Sequence, residues 1–188
     1  MFNWINAAVA LQKFCRDNRF PFAFIGGVAL QRWGEPRVTL DVDITLFTGF
    51  GNEEVFIEAL LKAFSPRVKD ALQFALRQRV LLLKSAEGIG LDVALGALPF
   101  EELVIKRASY AEYLPGIRLN TCSAEDLIIL KSFADRPQDW IDVGRVIVRQ
   151  SNELDWAYIF KHLPELAVLK DSPEIIDRLK KLRTECEN

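Results

Sequence analysis

Two glycines and three aspartates are the residues in this chain whose types and spacing could do chemistry. Gly26-Gly27 ends the apolar run Phe22-Ala23-Phe24-Ile25, and after thirteen intervening residues comes Asp41-Val42-Asp43. Leu40, Val42, Ile44 and Leu46 share one face of a strand, and Asp41, Asp43 and Thr45 share the other, because successive strand side chains point to opposite sides. Carboxylates at i and i+2 repel and raise one another's pKa. A divalent cation removes that penalty, and oxygen ligands suit Mg²⁺, which keeps water and substrate phosphate in its remaining positions. The glycines suit the other end of such a ligand. A strand-to-helix turn without side chains lets phosphate approach backbone N–H groups at a helix N-terminus. The plainer readings are a permissive turn and the solvated face of an edge strand. The combination favours a nucleoside triphosphate held by backbone N–H groups and by metal.

The third carboxylate is Asp92. In Gly88-Ile89-Gly90-Leu91-Asp92-Val93-Ala94-Leu95-Gly96 the alternation puts Leu91, Val93 and Leu95 on one face. Asp92 shares the other with Ala94 and Gly96, whose small side chains leave room for a ligand or a metal. Arg79–Ser85 reads as its hairpin partner, with Glu87-Gly88 in the turn. If the strand of Asp92 lies beside that of Asp41, three carboxylates converge, which fits two-metal phosphoryl chemistry. Taken alone, Asp92 reads as an acid paired to Lys or Arg.

The run Ile25-Gly26-Gly27 followed by Asp41-Val42-Asp43-Ile44 fits the nucleotidyltransferase signature. More specifically, the chain resembles the AbiEii-like nucleotidyltransferases, which include toxins of type IV toxin–antitoxin systems. The motifs that carry the resemblance are Arg37-Val38-Thr39-Leu40-Asp41-Val42-Asp43, Glu125-Asp126-Leu127-Ile128-Ile129-Leu130-Lys131, and Arg136-Pro137-Gln138-Asp139-Trp140-Ile141-Asp142-Val143. The resemblance implies a mixed-sheet core and Mg²⁺-dependent transfer of a nucleoside monophosphate to a hydroxyl, with release of pyrophosphate. It implies Asp41, Asp43 and Asp92 as ligands of two Mg²⁺ ions, with Mn²⁺ as a substitute. It places Gly26, Gly27, Arg37, Thr39, Lys131 and Arg136 on the nucleotide and Lys131 and Asp142 in the catalytic set. Its partners are a nucleoside triphosphate, an acceptor such as tRNA, a protein or a small molecule, and a cognate antitoxin protein.

The later motif also reads from the residues. Ser123 is a good N-cap, and Asp126 stands where a capping box would place its acid. Leu127, Leu130 and Ala134 form a helical stripe containing Lys131, which either snorkels or meets an anion, contacting a triphosphate or a leaving group. Pro137 opens the next helix. The helix dipole alone would account for Asp139. Asp142 pairs with Lys131, orienting it, or with Arg145. Arg136 is a phosphate contact or a surface residue before a proline. Gly27 stands where many relatives of the wider superfamily carry Ser, so binding there rests on backbone N–H. The chain has no P-loop and no GxGxxG.

The elements that must position these groups follow from the same periodicities. Helices are expected over Asn3–Arg19 (Ile5, Ala8, Leu11 and Cys15 inward), Gly27–Trp33, Asn52–Phe64 (Val55, Ala59, Leu60 and Ala63 inward), Pro99–Ala108, Asp155–Leu163 and Pro173–Arg183. Strands are expected over Phe22–Ile25, Leu40–Leu46, Arg79–Ser85, Ile89–Leu95 and near Ile117–Leu119. The order is α+β: a nucleotidyltransferase-like mixed sheet flanked by helices, then a helical C-terminal part. Residues 1–120 would form the α/β core and 121–188 the helical part, in one compact unit with the catalytic cleft between them.

With 188 residues, half of them hydrophobic, the chain can bury a sizeable core. No apolar run spans a membrane, and the N-terminal segment, interrupted by Gln12, Lys13 and Arg16, does not read as a signal peptide. A cytoplasmic location is expected. Three cysteines, odd in number and far apart, read as reduced thiols. The one histidine, His162, reads as a helix-end surface residue and not a catalytic base. A net charge of −2 weakens tight non-specific binding to nucleic acid but leaves local basic patches for a tRNA acceptor end. Two functions survive: an active nucleotidyltransferase, in which Asp92 also takes the acceptor proton, and a non-catalytic nucleotide- or partner-binding module on the same scaffold. Retention of all three carboxylates and Lys131 favours the enzyme.

Overall fold

The computed structural model describes residues 3–187. In chain order the elements are α1 (Asn3–Asp17), β1 (Phe22–Phe24), α2 (Gly26–Trp33), β2 (Asp41–Phe47), α3 (Glu53–Ala63), β3 (Ser65–Pro66), α4 (Ala71–Gln78), β4 (Val80–Lys84), β5 (Gly90–Gly96), α5 (Pro99–Arg107), β6 (Ser109–Leu114) and β7 (Ile117–Thr121). Four helices follow: α6 (Ala124–Ala134), α7 (Pro137–Gln150), α8 (Trp156–Leu169) and α9 (Glu174–Glu187). The fold is α+β with a mixed sheet, as the element order predicts. Contacts divide the chain into two units. The first runs to Val28 and resumes over Val38–Cys122, and the second joins Ala29–Arg37 to the residues from Ser123 onward.

The first unit is built on a seven-stranded sheet of order β3-β4-β5-β2-β1-β7-β6. β2 and β5 are parallel neighbours, β4 and β5 form the antiparallel hairpin, and β1 joins β2 antiparallel and β7 parallel. Val42, Ile44 and Leu46 on β2, Leu91, Val93 and Leu95 on β5, and Leu81 and Leu83 on β4 are buried in one apolar cluster. Ile5, Ala8, Leu11 and Cys15 of α1 join it. Each such large side chain contributes about 1.5–3 kcal/mol on leaving water. A one-residue slip of β2 would exchange these groups for Asp41 and Asp43, so the apolar face fixes the register that positions the acids.

Several expectations need correcting. Leu40 lies outside β2 and is 75% exposed, so the buried face begins at Val42. On α3, Glu53, Ile57 and Leu60 face inward and Val55 points outward. Three elements were not foreseen: the two-residue β3, α4 and β6. α4 lies between Asp70 and Arg79, both left-handed at φ 49° and 54°, without the glycine that usually marks such a cap. β6 alternates half-buried Ala111 and Tyr113 with exposed Tyr110, Glu112 and Leu114 and has no fully buried side chain, because it is the last strand of the sheet.

In the second unit Ser123 caps α6, its Oγ accepting from Asp126 N at 3.1 Å. α6 carries no single stripe: Asp126, Leu127, Ile128, Ile129, Lys131 and Ser132 are all buried, while Ala134 is exposed. α8 runs on past Pro164 to Leu169, so His162 sits inside a helix with its ring 4.5 Å from Tyr158. No disulfide joins the cysteines among the described residues, and burial pushes the Cys15 thiol up to about 12. Among the described residues no helix is long and apolar enough to cross a membrane.

Candidate active site

The parallel register of β2 and β5 sets Asp43 directly opposite Asp92, and Asp41 opposite Gly90. Alternation then keeps Asp41, Asp43 and Asp92 on the sheet face that the buried leucines and valines avoid. Small neighbours make room for the acids on that face. A Cβ on Gly90 would collide with the Asp41 carboxylate, and a Cβ on Gly26 would collide with that of Asp43. Gly26 also holds φ at +53°, a left-handed conformation in which side-chain-bearing residues are strained. The turn therefore needs glycine for both backbone and space.

One glycine N–H, that of Gly27, meets a carboxylate. Gly27 N lies 3.4 Å from Asp43 Oδ2, and Ile25 N donates to Asp43 O at 3.0 Å. This aims the Asp43 carboxylate at the start of α2, where the helix dipole favours negative charge. Thr39 packs where a Gly27 side chain would stand, and its hydroxyl donates to Asp41 O at 3.0 Å. Asp92 is paired with Arg67, which follows β3. As the side chains stand, no group of three or more His, Cys, Asp or Glu residues among the described residues is gathered to hold a metal ion.

The remaining expected residues form a second cluster, in the other unit. Lys131 is only 5% exposed, and its Nζ donates to Asp142 Oδ2 at 2.7 Å and to Asp139 Oδ1 at 2.9 Å. Asp142 also accepts from Arg37 Nε at 3.2 Å and Nη2 at 3.1 Å, and from Gln138 at 3.1 Å. Arg136 Nε donates to Asp139 Oδ2 at 2.6 Å. Of the two partners the sequence allowed for Asp142, the structure has Lys131; Arg145 pairs with Glu35. Burial works to raise the Asp142 carboxyl, but hydrogen bonds from Arg37 and Lys131 outweigh it and hold the group below its ordinary value. Asp139 behaves alike: burial is opposed and overcome by Arg136 and Lys131. Three cations face two carboxylates, a surplus of one positive charge.

Residues 11–166 match the family described as nucleotidyl transferase AbiEii toxin, type IV TA system. The chain belongs to this family. It is a nucleotidyltransferase by that membership, and its likeness to solved structures is in the fold. The solution structure of the antibiotic-resistance factor ANT(2'')-Ia has a TM-score of 0.53 at 16% identity, over 98% of this chain and 92% of that one. The crystal structure of ANT(2'')-Ia in complex with adenylyl-2''-tobramycin matches at 18% identity and TM-score 0.47, over 97% and 98% of the two chains. An antigenic nucleotidyltransferase-like protein from Paracoccidioides brasiliensis matches at 19% identity and 0.47, over 92% and 89%. Among curated proteins none matches the sequence.

Two residues of this AbiEii family member escaped the sequence reading. Asp139 was assigned to the helix dipole, yet it is 3% exposed and shares Lys131 with Asp142. Its spacing was the available signal: Asp139 and Asp142 at i and i+3 lie on one helix face. Arg67 had no signal, because only the β3–β4 pairing brings it to Asp92.

Proposed function

We propose that the chain transfers a nucleoside monophosphate from a nucleoside triphosphate to an acceptor hydroxyl, releasing pyrophosphate. The observation that carries this reading is the β2–β5 register, which sets Asp43 beside Asp92 with Asp41 along the same face, in a chain of a nucleotidyltransferase family. The donor set fits a divalent cation. It offers only carboxylate oxygens, the ligands Mg²⁺ and Mn²⁺ take, and the missing side chains of Gly26 and Gly90 give the Asp43 and Asp41 carboxylates room to stand. Asp41 and Asp43 would hold the ion, and Asp92 would join them once free of Arg67. Bound there, the metal would supply charge for the phosphates and a lowered pKa for the acceptor hydroxyl.

The chain's own groups account for the rest. Asp92 Oδ accepts the acceptor proton. Gly26 and Gly27 give phosphate a close approach to backbone N–H groups at the start of α2. In the second unit, the buried Lys131, Asp139 and Asp142 orient two more exposed guanidiniums, Arg37 and Arg136, toward phosphate oxygens. Lys131 would then act through Asp142 and Asp139, since both carboxylates already engage its ammonium. The acceptor is a tRNA, a protein or a small molecule, and a cognate antitoxin is the protein partner. Thr39 supports the strand that carries Asp41.

One observation favours the alternative of a non-catalytic nucleotide-binding module: Asp92 is engaged by Arg67, and the acids are not gathered as a ready ligand set. The deciding experiment incubates the protein with each α-³²P-labelled nucleoside triphosphate, Mg²⁺, total RNA and lysate, beside the Asp41→Asn/Asp43→Asn variant. Label in RNA, protein or a small molecule with the wild type alone supports transfer and names the acceptor class. Nucleotide binding without transfer supports the module.

A further inference from the structure

We propose that Arg67 is a built-in counter-cation of the acidic sheet face, holding Asp92 in the metal-free protein and competing with divalent metal for it. This rests on the metal reading above. The geometry is a single row across the sheet. Arg67 N donates to Leu82 O at 2.9 Å, Leu82 is paired with Asp92, and Asp92 is paired with Asp43. Strands in a sheet lie about 4.8 Å apart, so the arginine side chain crosses one strand to reach Asp92, which its Nη2 contacts.

Its other terminal nitrogen, Nη1, stands near the Asp41 carboxylate. A Cβ on Gly90 would lie 3.2 Å from Arg67 Nη1 and would overlap Asp41 Oδ1. The guanidinium and the Asp41 carboxylate thus share the space above Gly90, and one cation lies beside two of the three acids. Lys84 lies in a different row, paired with Gly90, which is itself paired with Asp41.

Charge arithmetic gives the arrangement its consequence. Three carboxylates with Arg67 sum to −2, still attractive to a divalent ion. One divalent ion brings the sum to zero, and a second makes it +2 with Arg67 in place. Each step weakens the hold on the guanidinium. The pair is also easily parted, because both side chains are 32% exposed and ion pairs at such positions contribute little net stability. Arg67 keeps the like charges of the site neutralised without metal and gives Asp92 up as a ligand when metal binds.

The test is titration of wild type, Arg67→Gln and Arg67→Lys with Mn²⁺, following free Mn²⁺ by electron paramagnetic resonance, with thermal melts before and after metal. Arg67→Gln is expected to bind Mn²⁺ about two- to fivefold more tightly than wild type, the scale of a partly exposed ion pair. Arg67→Lys should fall between, since its point charge lacks the forked geometry. The metal-free Tm of Arg67→Gln should fall, and its rise on Mn²⁺ addition should exceed that of wild type. Equal or weaker Mn²⁺ affinity in Arg67→Gln overturns the counter-cation and leaves the metal site standing. Absence of Mn²⁺ binding in wild type and both variants overturns the metal reading and this inference together. If Arg67→Gln does not fold, Arg67→Lys decides alone: affinity above wild type supports the proposal, and equality overturns it.

Discussion

Replacing Lys131 by Met measures what two buried carboxylates lose with their shared cation. Nζ lies 2.9 Å from Asp139 Oδ1 and 2.7 Å from Asp142 Oδ2, and the three side chains are 6%, 4% and 0% exposed. Methionine keeps most of the apolar stem, so packing changes little. Removing one partner of a buried pair costs about 3–5 kcal/mol. Here each carboxylate retains a second cation, Arg37 on Asp142 and Arg136 on Asp139, which reduces the expected loss to about 2–3 kcal/mol. The pH dependence has a definite sign. Both carboxyls are held below the ordinary aspartate value in the wild type. Their contribution is therefore full at neutral pH and is lost as pH falls through the depressed folded values. Without Lys131, burial pushes them up, and they take up protons earlier. The gap between wild type and variant should narrow as pH falls below about 4, the ordinary aspartate range. Urea unfolding followed by tryptophan fluorescence suits the question, because Trp33, Trp140 and Trp156, three of the four tryptophans, lie in the same unit. A loss under about 0.5 kcal/mol at neutral pH, outside the range for a buried pair, or an equal loss at pH near 7 and pH near 3, would refute the reasoning.

Gly26→Ala should cost about 1–2 kcal/mol for a left-handed backbone alone, and should also displace the Asp43 carboxylate; a melting temperature and Mn²⁺ affinity both equal to wild type would contradict this. Ser123→Ala removes the cap of α6 and should lower stability by about 1 kcal/mol, read from urea midpoints, with no change in metal binding. Arg37→Lys cannot reproduce the two-pronged contact with Asp142 and should weaken nucleoside triphosphate binding about tenfold while moving the melting temperature little. Calorimetry that finds unchanged affinity would remove Arg37 from the nucleotide site.

The sheet face was legible because a half-buried strand writes its two faces into the sequence. Val42, Ile44 and Leu46 alternate with Asp41, Asp43 and Thr45, and the same holds for β5. The hairpin was legible from Glu87-Gly88 between apolar runs. Adjacency of β2 and β5 was not, since parallel pairing leaves no local mark; it stood only as a condition for the three acids to meet. Leu40 continued the alternation by type alone, and its exposure shows that a pattern does not mark where burial stops. α6 was misread because a helix buried nearly all round has no stripe to find. Asp139 and Arg67 depend on partners distant in space, so a local reading gives them their blandest explanation. The family motifs named Lys131 and Asp142; the structure adds that both are buried and bonded to each other.

The central claim is that the carboxylates of β2 and β5 act on a nucleoside triphosphate through a divalent ion. Its most direct test is pyrophosphate release from nucleoside triphosphate by wild type, Asp43→Asn and Asp92→Asn, each with Mg²⁺ and with chelator. The account predicts acceptor-dependent release by the wild type with Mg²⁺ only, and a loss of at least about a hundredfold in each variant, the scale of removing one transition-state electrostatic partner. Release that survives chelation, or that either folded variant sustains at the wild-type rate, would contradict it.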